Sequence, residues 1–247
     1  MNTKKLLSVM RKAVEKYKMI KDGDKIAVGV SGGKDSLLLL RLLAEYSRFS
    51  PEKFEVMGIS VDLRFNAIDT DYSAIEKFCD ELGVKFFVER TDIGRIVFDE
   101  RKEKSPCSLC SKMRKGALYE AALKNGCNKV ALGHHANDLQ DTFLLSLFYE
   151  GRLSTFAPKS FLDRTGITLI RPMIMIEERD VLPFVAELPV TKSRCPADKN
   201  TQREFVKSIV KEIAKTVPNI RDMIYTALVH PERYNLFDRY EKETNEF

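Results

Sequence analysis

The chain has 247 residues, of which 44% are hydrophobic and 31% charged, and its formal net charge is +5. That length supports one large domain or one domain with a small appendage, and the mild basic excess permits a polyanionic partner without demanding one. No apolar run approaches the ~18 residues of a membrane helix, so no membrane partner is expected.

In chain order, the first stretch sets Leu6, Met10, Ala13, Val14 and Tyr17 at helical spacing with lysines between them, a helix over about 3–19. This is not the apolar block of a secretory leader, and the protein is read as cytoplasmic. "KIAVGV" (25–30) reads as a strand; "SGGKDS" (31–36) forms a turn, and a helix runs from Asp35 through "SLLLLRLLAEY". "FEVMGISVD" (54–62) is a second strand, a helix then carries Ile75, Phe78, Cys79 and Leu82 on one face, and "KFFVER" (85–90) is a third strand. "KSPCSLCSKMRKGALYEAAL" reads as a loop running into a helix. "NKVALGHH" (128–135) is a strand with a polar end, "NDLQDTFLLSLFY" the helix after it, and "ITLIRPM" (167–173) a fifth strand ended by Pro172. The remainder is helical, interrupted at 188–200.

Strands alternating with helices, most of them apolar on both faces, imply an α/β fold: a parallel twisted sheet of about five strands with helices on both faces. One domain is expected over 1–247, with an N-terminal helix at 1–20 and a helical C-terminal appendage from about 177. Ligands of such sheets bind at the carboxyl ends of the strands, where both polar clusters fall.

In "SGGKDS", Gly32 and Gly33 let the backbone turn and point amides at an anion, and the next helix adds its positive end. Lys34 supplies a point charge, and Ser31 and Ser36 supply hydroxyls. The triphosphate loop G-x-x-x-x-G-K-[ST] does not fit, because Val28 and Asp35 occupy its first glycine and its Ser/Thr positions. Asp35 makes sense if it recruits Mg²⁺ or if the anion is a pyrophosphate gripped in another way. The bland alternative is a capped strand–helix turn with Asp35 as the cap.

The stretch resembles the pyrophosphate loop of the PP-loop ATPases, which split ATP between its α- and β-phosphates and adenylate an oxygen of their substrate. "GHHANDLQDT" resembles that superfamily's second motif. The resemblance implies that Asp62, Gly133 and His134 line the nucleotide site and that Asp138 contacts metal or substrate. Asn137 departs from the motif, standing where many relatives have the first aspartate.

Five cysteines in a protein read as cytoplasmic do not suggest disulfides. Cys79 falls on an apolar helix stripe and Cys127 at a helix end, both read as structural. Cys107 and Cys110 form a C-x-x-C pair, and Cys195 sits in the polar stretch "KSRCPADKN". Zinc usually takes four ligands. Three thiolates suit a 4Fe-4S cluster, which usually takes four cysteines, with one iron left without a protein ligand. Zinc and a redox pair remain the alternatives.

The combination of "SGGKDS", "PCSLCSKMRKGALYEAA", "ALGHH", "IRPM", "NTQRE" and "NLFD" resembles the tRNA 2-thiocytidine synthetase family, although a later C-x-x-C is absent. That resemblance implies an iron–sulfur enzyme that consumes ATP and thiolates an anticodon-loop cytidine. Its partners would be tRNA, ATP and a sulfur donor such as a cysteine desulfurase or free sulfide. The oligomeric state stays open, a homodimer among the states allowed. Residues 101–129 carry eight Lys/Arg against two Glu, so Lys112, Arg114 and Lys115 are candidate RNA contacts. Arg203, Lys207, Lys211 and Lys215 recur every four residues as a second basic stripe, its first three residues further candidate RNA contacts; an ordinary solvated face, with Glu204 and Glu212 nearby, is the alternative. An adenylating enzyme acting on a small molecule, or a nucleotide- or RNA-binding module without turnover, are the rival readings.

Overall fold

A computed structural model describes residues 3–101, 106–192, 194–196 and 202–234 of the chain. The "NLFD" segment at 235–238, Asn200 and Thr201 of "NTQRE", and Lys102 and Lys104 of the basic cluster lie outside the described residues. The chain forms two compact units, residues 1–136 with 156–201 and residues 137–155 with 202–247.

The first unit is built on six strands: β1 (Lys25–Gly29), β2 (Glu55–Asp62), β3 (Lys85–Arg90), β4 (Lys129–Ala131), β5 (Lys159–Leu162) and β6 (Ile167–Ile170). Their order is β3-β2-β1-β4-β6-β5, with every pairing parallel except β5 against β6. The sequence reading finds five of these strands and misses β5. β5 is short, half exposed, and paired only to its hairpin partner through a turn closed by Gly166 at φ +71°. Four residues with Phe161 facing solvent leave little periodicity to detect.

Helices cover both faces. α1 (Thr3–Lys16) buries Leu6, Met10, Ala13 and Val14. It ends before the expected 19 because Lys18 takes the left-handed region, φ +47°, which turns Met19 and Ile20 into the core. α2 (Lys34–Ser47) presents leucines on all sides, and Leu37, Leu38, Leu39, Leu40, Leu42 and Leu43 are each 0% exposed. Burial of each such leucine contributes about 1.5–3 kcal/mol, so α2 is firmly anchored in the core. α3 (Ser73–Leu82) buries Ile75 and Cys79. α4 (Pro106–Lys124) packs Leu118, Ala121 and Ala122 against β2 and β4 residues in one apolar cluster. At the opposite end of the strands, Lys129 and Asp24 form a buried ion pair at 2.6 Å, and Lys129 Nζ also donates to the Met19 carbonyl at 2.7 Å.

The second unit contains most of α5 (Ala136–Glu150) with α7 (Gln202–Ile213) and α8 (Ile220–Val229); the short α6 (Glu178–Val181) belongs to the first unit. Leu144, Val206 and Val210 form its core, with Ile220 and Ile224 packed beside them. None of the described helices is long and apolar enough to cross a membrane.

Candidate active site

The strand order reverses at β1, since the chain steps outward through β2 and β3 and then returns to the other side of β1 as β4. A crevice outside the carboxyl ends of the strands is expected at such a reversal. The "SGGKDS" turn leaves β1 at this point.

Gly32 has φ +80°, a conformation open to glycine at low cost. Gly33 is extended and caps α2. The turn is held from within. The Ser31 N–H donates to Ser36 Oγ at 3.0 Å, Ser36 Oγ donates to the Gly33 carbonyl at 2.9 Å, and the Gly33 N–H reaches Ser31 Oγ at 3.3 Å. Lys34 Nζ lies between two carboxylates, donating to Asp35 Oδ2 at 2.9 Å and to Glu178 Oε1 at 2.9 Å. Burial acts to lower the Lys34 pKa, but the hydrogen bonds to Asp35 and Glu178 outweigh it and the net direction is upward. Lys34 is thus a fixed cation beside the turn. His135, 4% exposed, brings Nε2 to 3.8 Å from Asp35 Oδ1.

Gly133 plays a packing role. A Cβ there would lie 2.9 Å from the carbonyl carbon and oxygen of Asp35 and 3.0 Å from the Ser36 nitrogen, so the end of β4 touches the backbone of α2's first turn. His134 stacks on Phe156 at a centroid distance of 4.8 Å and accepts a hydrogen bond from Arg171 Nε at 3.3 Å. Asp62, 2% exposed, lines the cavity, yet its carboxylate accepts hydrogen bonds from the Thr70 N–H and hydroxyl, both at 2.9 Å, and from the Arg64 N–H at 3.2 Å. Asp62 therefore shapes the loop above the site, where Arg64, Asn66 and Ala67 all have positive φ.

A cavity of about 370 Å³ opens over the turn, within the range of small-molecule sites. It is lined by Ser31 and Gly33, by Asp62, Phe65 and Tyr72, and by Cys110 and Cys195 with the cations of Arg114, Lys192 and Arg194. Cys110 and Cys195 are 85 positions apart in the sequence, and the fold brings both thiols to one wall. The pair Cys107 and Cys110 lies inside α4 and not in a loop before it, because Pro106 starts the helix one residue before Cys107. The spacing of three puts both on one helix face, with Cys107 exposed and Cys110 half-buried. Burial pushes the Cys110 thiol pKa up; Arg114 opposes that, while Cys195 and Cys107 reinforce it. Cys79 and Cys127 are buried away from the cavity, Cys127 against the Met57 sulfur at 3.3 Å.

Among the described residues, no group of three or more His, Cys, Asp or Glu side chains is set to hold a single metal ion. Three thiols, two on the cavity wall and one a helical turn away, are a soft donor set suited to an iron–sulfur cluster, which is wider than one ion. Hard oxygen donors stand apart from them at the turn, where Asp35 and Glu178 meet on Lys34.

The remaining sequence candidates divide. Lys112 and Lys115 are exposed on α4, next to Arg114. In the second unit, Asp138 pairs with Arg203 at 3.6 Å, and Arg203 also donates to the Thr142 hydroxyl at 3.1 Å. Arg203 thus faces α5. Lys207 pairs with Glu204 at 3.4 Å, Lys215 pairs with Glu212 at 2.6 Å, and Lys211 is exposed. Glu178, Thr191, Lys192, Arg194 and Tyr72 are site residues that the sequence reading passes over. Lys192 and Arg194 carry the one available signal, since they flank Cys195 within "TKSRC".

A largely parallel sheet with a glycine–lysine turn at its reversal and no triphosphate signature is the arrangement of the PP-loop class. Residues 3–214 match the family described as PP-loop domain. The chain is 36% identical over 240 residues to tRNA-cytidine(32) 2-sulfurtransferase of Geobacter sulfurreducens, covering 95% of this chain and 93% of that one. It is 38% identical over 242 residues to the protein of the same name from Syntrophotalea carbinolica, covering 95% and 92%. Among solved structures it resembles the U34-tRNA thiolase NcsA from Methanococcus maripaludis with its 4Fe-4S cluster, with a TM-score of 0.73 and 27% identity over 94% of this chain and 79% of that one. The chain belongs to the PP-loop family and, within it, to the tRNA-cytidine(32) 2-sulfurtransferases.

Proposed function

We propose that the chain is an ATP-dependent tRNA thiolase that replaces the C2 oxygen of cytidine 32 by sulfur. One observation carries the reading: the Cys110 and Cys195 thiols line the same cavity as Ser31 and Gly33 of the pyrophosphate turn. Activation and sulfur delivery must act on one carbon atom, so their groups have to open into one space. Arg114, Lys192 and Arg194 at the same cavity supply the positive field that a polyanion needs.

The turn grips the pyrophosphate portion of ATP through its amides, and Lys34 offsets charge there. The cytosine C2 oxygen attacks the α-phosphorus, the bond to pyrophosphate breaks, and pyrophosphate leaves. The oxygen is then an AMP ester. A sulfur at the sulfide level bonds to C2, the C2–O bond breaks, and AMP departs, with no net oxidation or reduction. Cys107, Cys110 and Cys195 would hold a 4Fe-4S cluster, which when bound supplies an iron without a protein ligand that can carry sulfide. Asp35 would hold Mg²⁺. Free sulfide is a proposed donor already at that oxidation level; a cysteine desulfurase is the other, and its persulfide sulfur would need a two-electron thiol reductant to release sulfide first. The cytoplasm is the proposed location.

The test is anaerobic purification with iron and sulfide assays, followed by tRNA-dependent AMP release and mass spectrometry of the tRNA. Cys195→Ser is expected to lose both iron and thiolation. A Cys195→Ser protein with a full 4Fe-4S spectrum and normal activity overturns the three-thiol site.

A further inference from the structure

One segment, from Glu178 to Cys195, meets the pyrophosphate turn repeatedly and then delivers a thiol to the cavity. Glu178 accepts from Lys34 at 2.9 Å, and Glu187 accepts from Arg41 of α2 at 2.6 Å. The Thr191 N–H donates to the Gly32 carbonyl at 2.9 Å, and a Cβ added to Gly32 would fall on the Thr191 hydroxyl oxygen. Arg194 donates to the Asp69 carbonyl at 3.2 Å, and Cys195 follows directly.

The central contact has a mechanical consequence. The Gly32 carbonyl and the Gly33 N–H belong to one planar peptide unit. The carbonyl holds Thr191, while the N–H makes only a 3.3 Å contact to Ser31 Oγ. Turning that N–H onto a phosphate oxygen turns the carbonyl with it, and Thr191 must follow or lose its bond. Cys195 follows Thr191 by four positions, so their α-carbons lie within ~14 Å of each other and the thiol is within reach of a displacement at Thr191.

We propose that Thr191 is a positioning residue whose backbone bond to Gly32 couples occupancy of the pyrophosphate turn to the setting of the Cys195 thiol. The proposal rests on reading the turn as a pyrophosphate site. The experiment uses the full chain freed of iron, with inorganic pyrophosphate and Mg²⁺ as the probe. The rate of Cys195 alkylation by iodoacetamide is followed by peptide mass spectrometry, with Cys110 on the same cavity as the reference. Pyrophosphate should change the Cys195 rate relative to Cys110 by about fivefold or more in the unaltered chain and in Thr191→Ser, which keeps the N–H. It should leave that ratio unchanged in Thr191→Pro, which lacks the N–H. Equal changes at both cysteines in all three proteins mean simple shielding and overturn the proposal. Calorimetry on the same samples separates the two readings. Absence of pyrophosphate binding to the unaltered chain defeats the reading of the turn, whereas binding with an unmoved Cys195 defeats the coupling. Hydrogen exchange at the Thr191 amide of the unaltered chain needs no variant: protection lost on adding pyrophosphate, with the Cys195 rate unmoved, means that the bond yields instead of transmitting and overturns the coupling.

Discussion

Replacing Gly133 with alanine tests whether the end of β4 sets the position of α2's first turn. The added Cβ would meet three backbone atoms at 2.9, 2.9 and 3.0 Å. Carbon contacts are favourable at ~3.5–4.0 Å, so the strand end and the helix must part by roughly half an ångström or more. Backbone atoms of a helix anchored by six fully buried leucines cannot swing aside as a side chain does. Overpacking of this kind costs about 1–3 kcal/mol. For a chain of this size the middle of that range lowers Tm by about 4–8 °C. The displaced atoms belong to Asp35 and Ser36, which hold Lys34 and Ser31, so ATP affinity should fall roughly tenfold, the equivalent of ~1.4 kcal/mol. Gly116→Ala is the control. Nothing lies within 4 Å of its added Cβ, and inside α4 alanine should gain about 0.5–1 kcal/mol. Scanning calorimetry and ATP titration read both variants. A Gly133→Ala protein with unchanged Tm and unchanged ATP affinity would refute the idea that this close approach sets the turn.

Lys34→Ala and Asp35→Ala should each lower tRNA-dependent AMP release by roughly a hundredfold, about 3 kcal/mol of barrier, while circular dichroism stays native; normal turnover in either would remove the turn from catalysis. Charge reversal at Lys112 or Arg114 should weaken tRNA binding and flatten its dependence on salt, as read by titration at several ionic strengths, whereas affinity indifferent to salt would argue against docking through phosphates. Burial, reinforced by Asp80 and Glu76, pushes the Cys79 thiol from 9.0 up to about 12. The buried thiol therefore stays protonated, and the stability that it shelters is complete below pH 9 and lost as pH rises toward 12. Iodoacetamide at a mildly alkaline pH should modify exposed Cys107 and spare Cys79; modification of Cys79 in the folded protein would contradict its burial.

The sequence by itself determined the class of the fold and the chemistry at one end of its sheet. Apolar strands alternating with helices imply a covered parallel sheet, and "SGGKDS" after a strand is legible as a tight turn into a helix, because its glycines and hydroxyls are local devices that act within six residues. The sequence set Cys107, Cys110 and Cys195 apart as candidate ligands, Cys79 by its apolar helix stripe and Cys127 by its place at a helix end being read as structural; that Cys127 is buried, in a stretch as polar as "KNGCNK", only the fold shows. Tertiary structure decided what depends on distant meetings. It started α4 at Pro106 and so put the cysteine pair on a helix face. It paired Arg203 with Asp138 and Thr142 of α5, which no stripe on one helix could reveal. It closed Asp62 onto Thr70 and set Gly133 against Asp35. Above all it brought Glu178 to Lys34 and Thr191 to Gly32, contacts 144 and 159 positions apart. Spacing along a chain encodes which face a residue occupies, but which two faces meet is set by how the sheet orders its strands and where the connecting segments cross them.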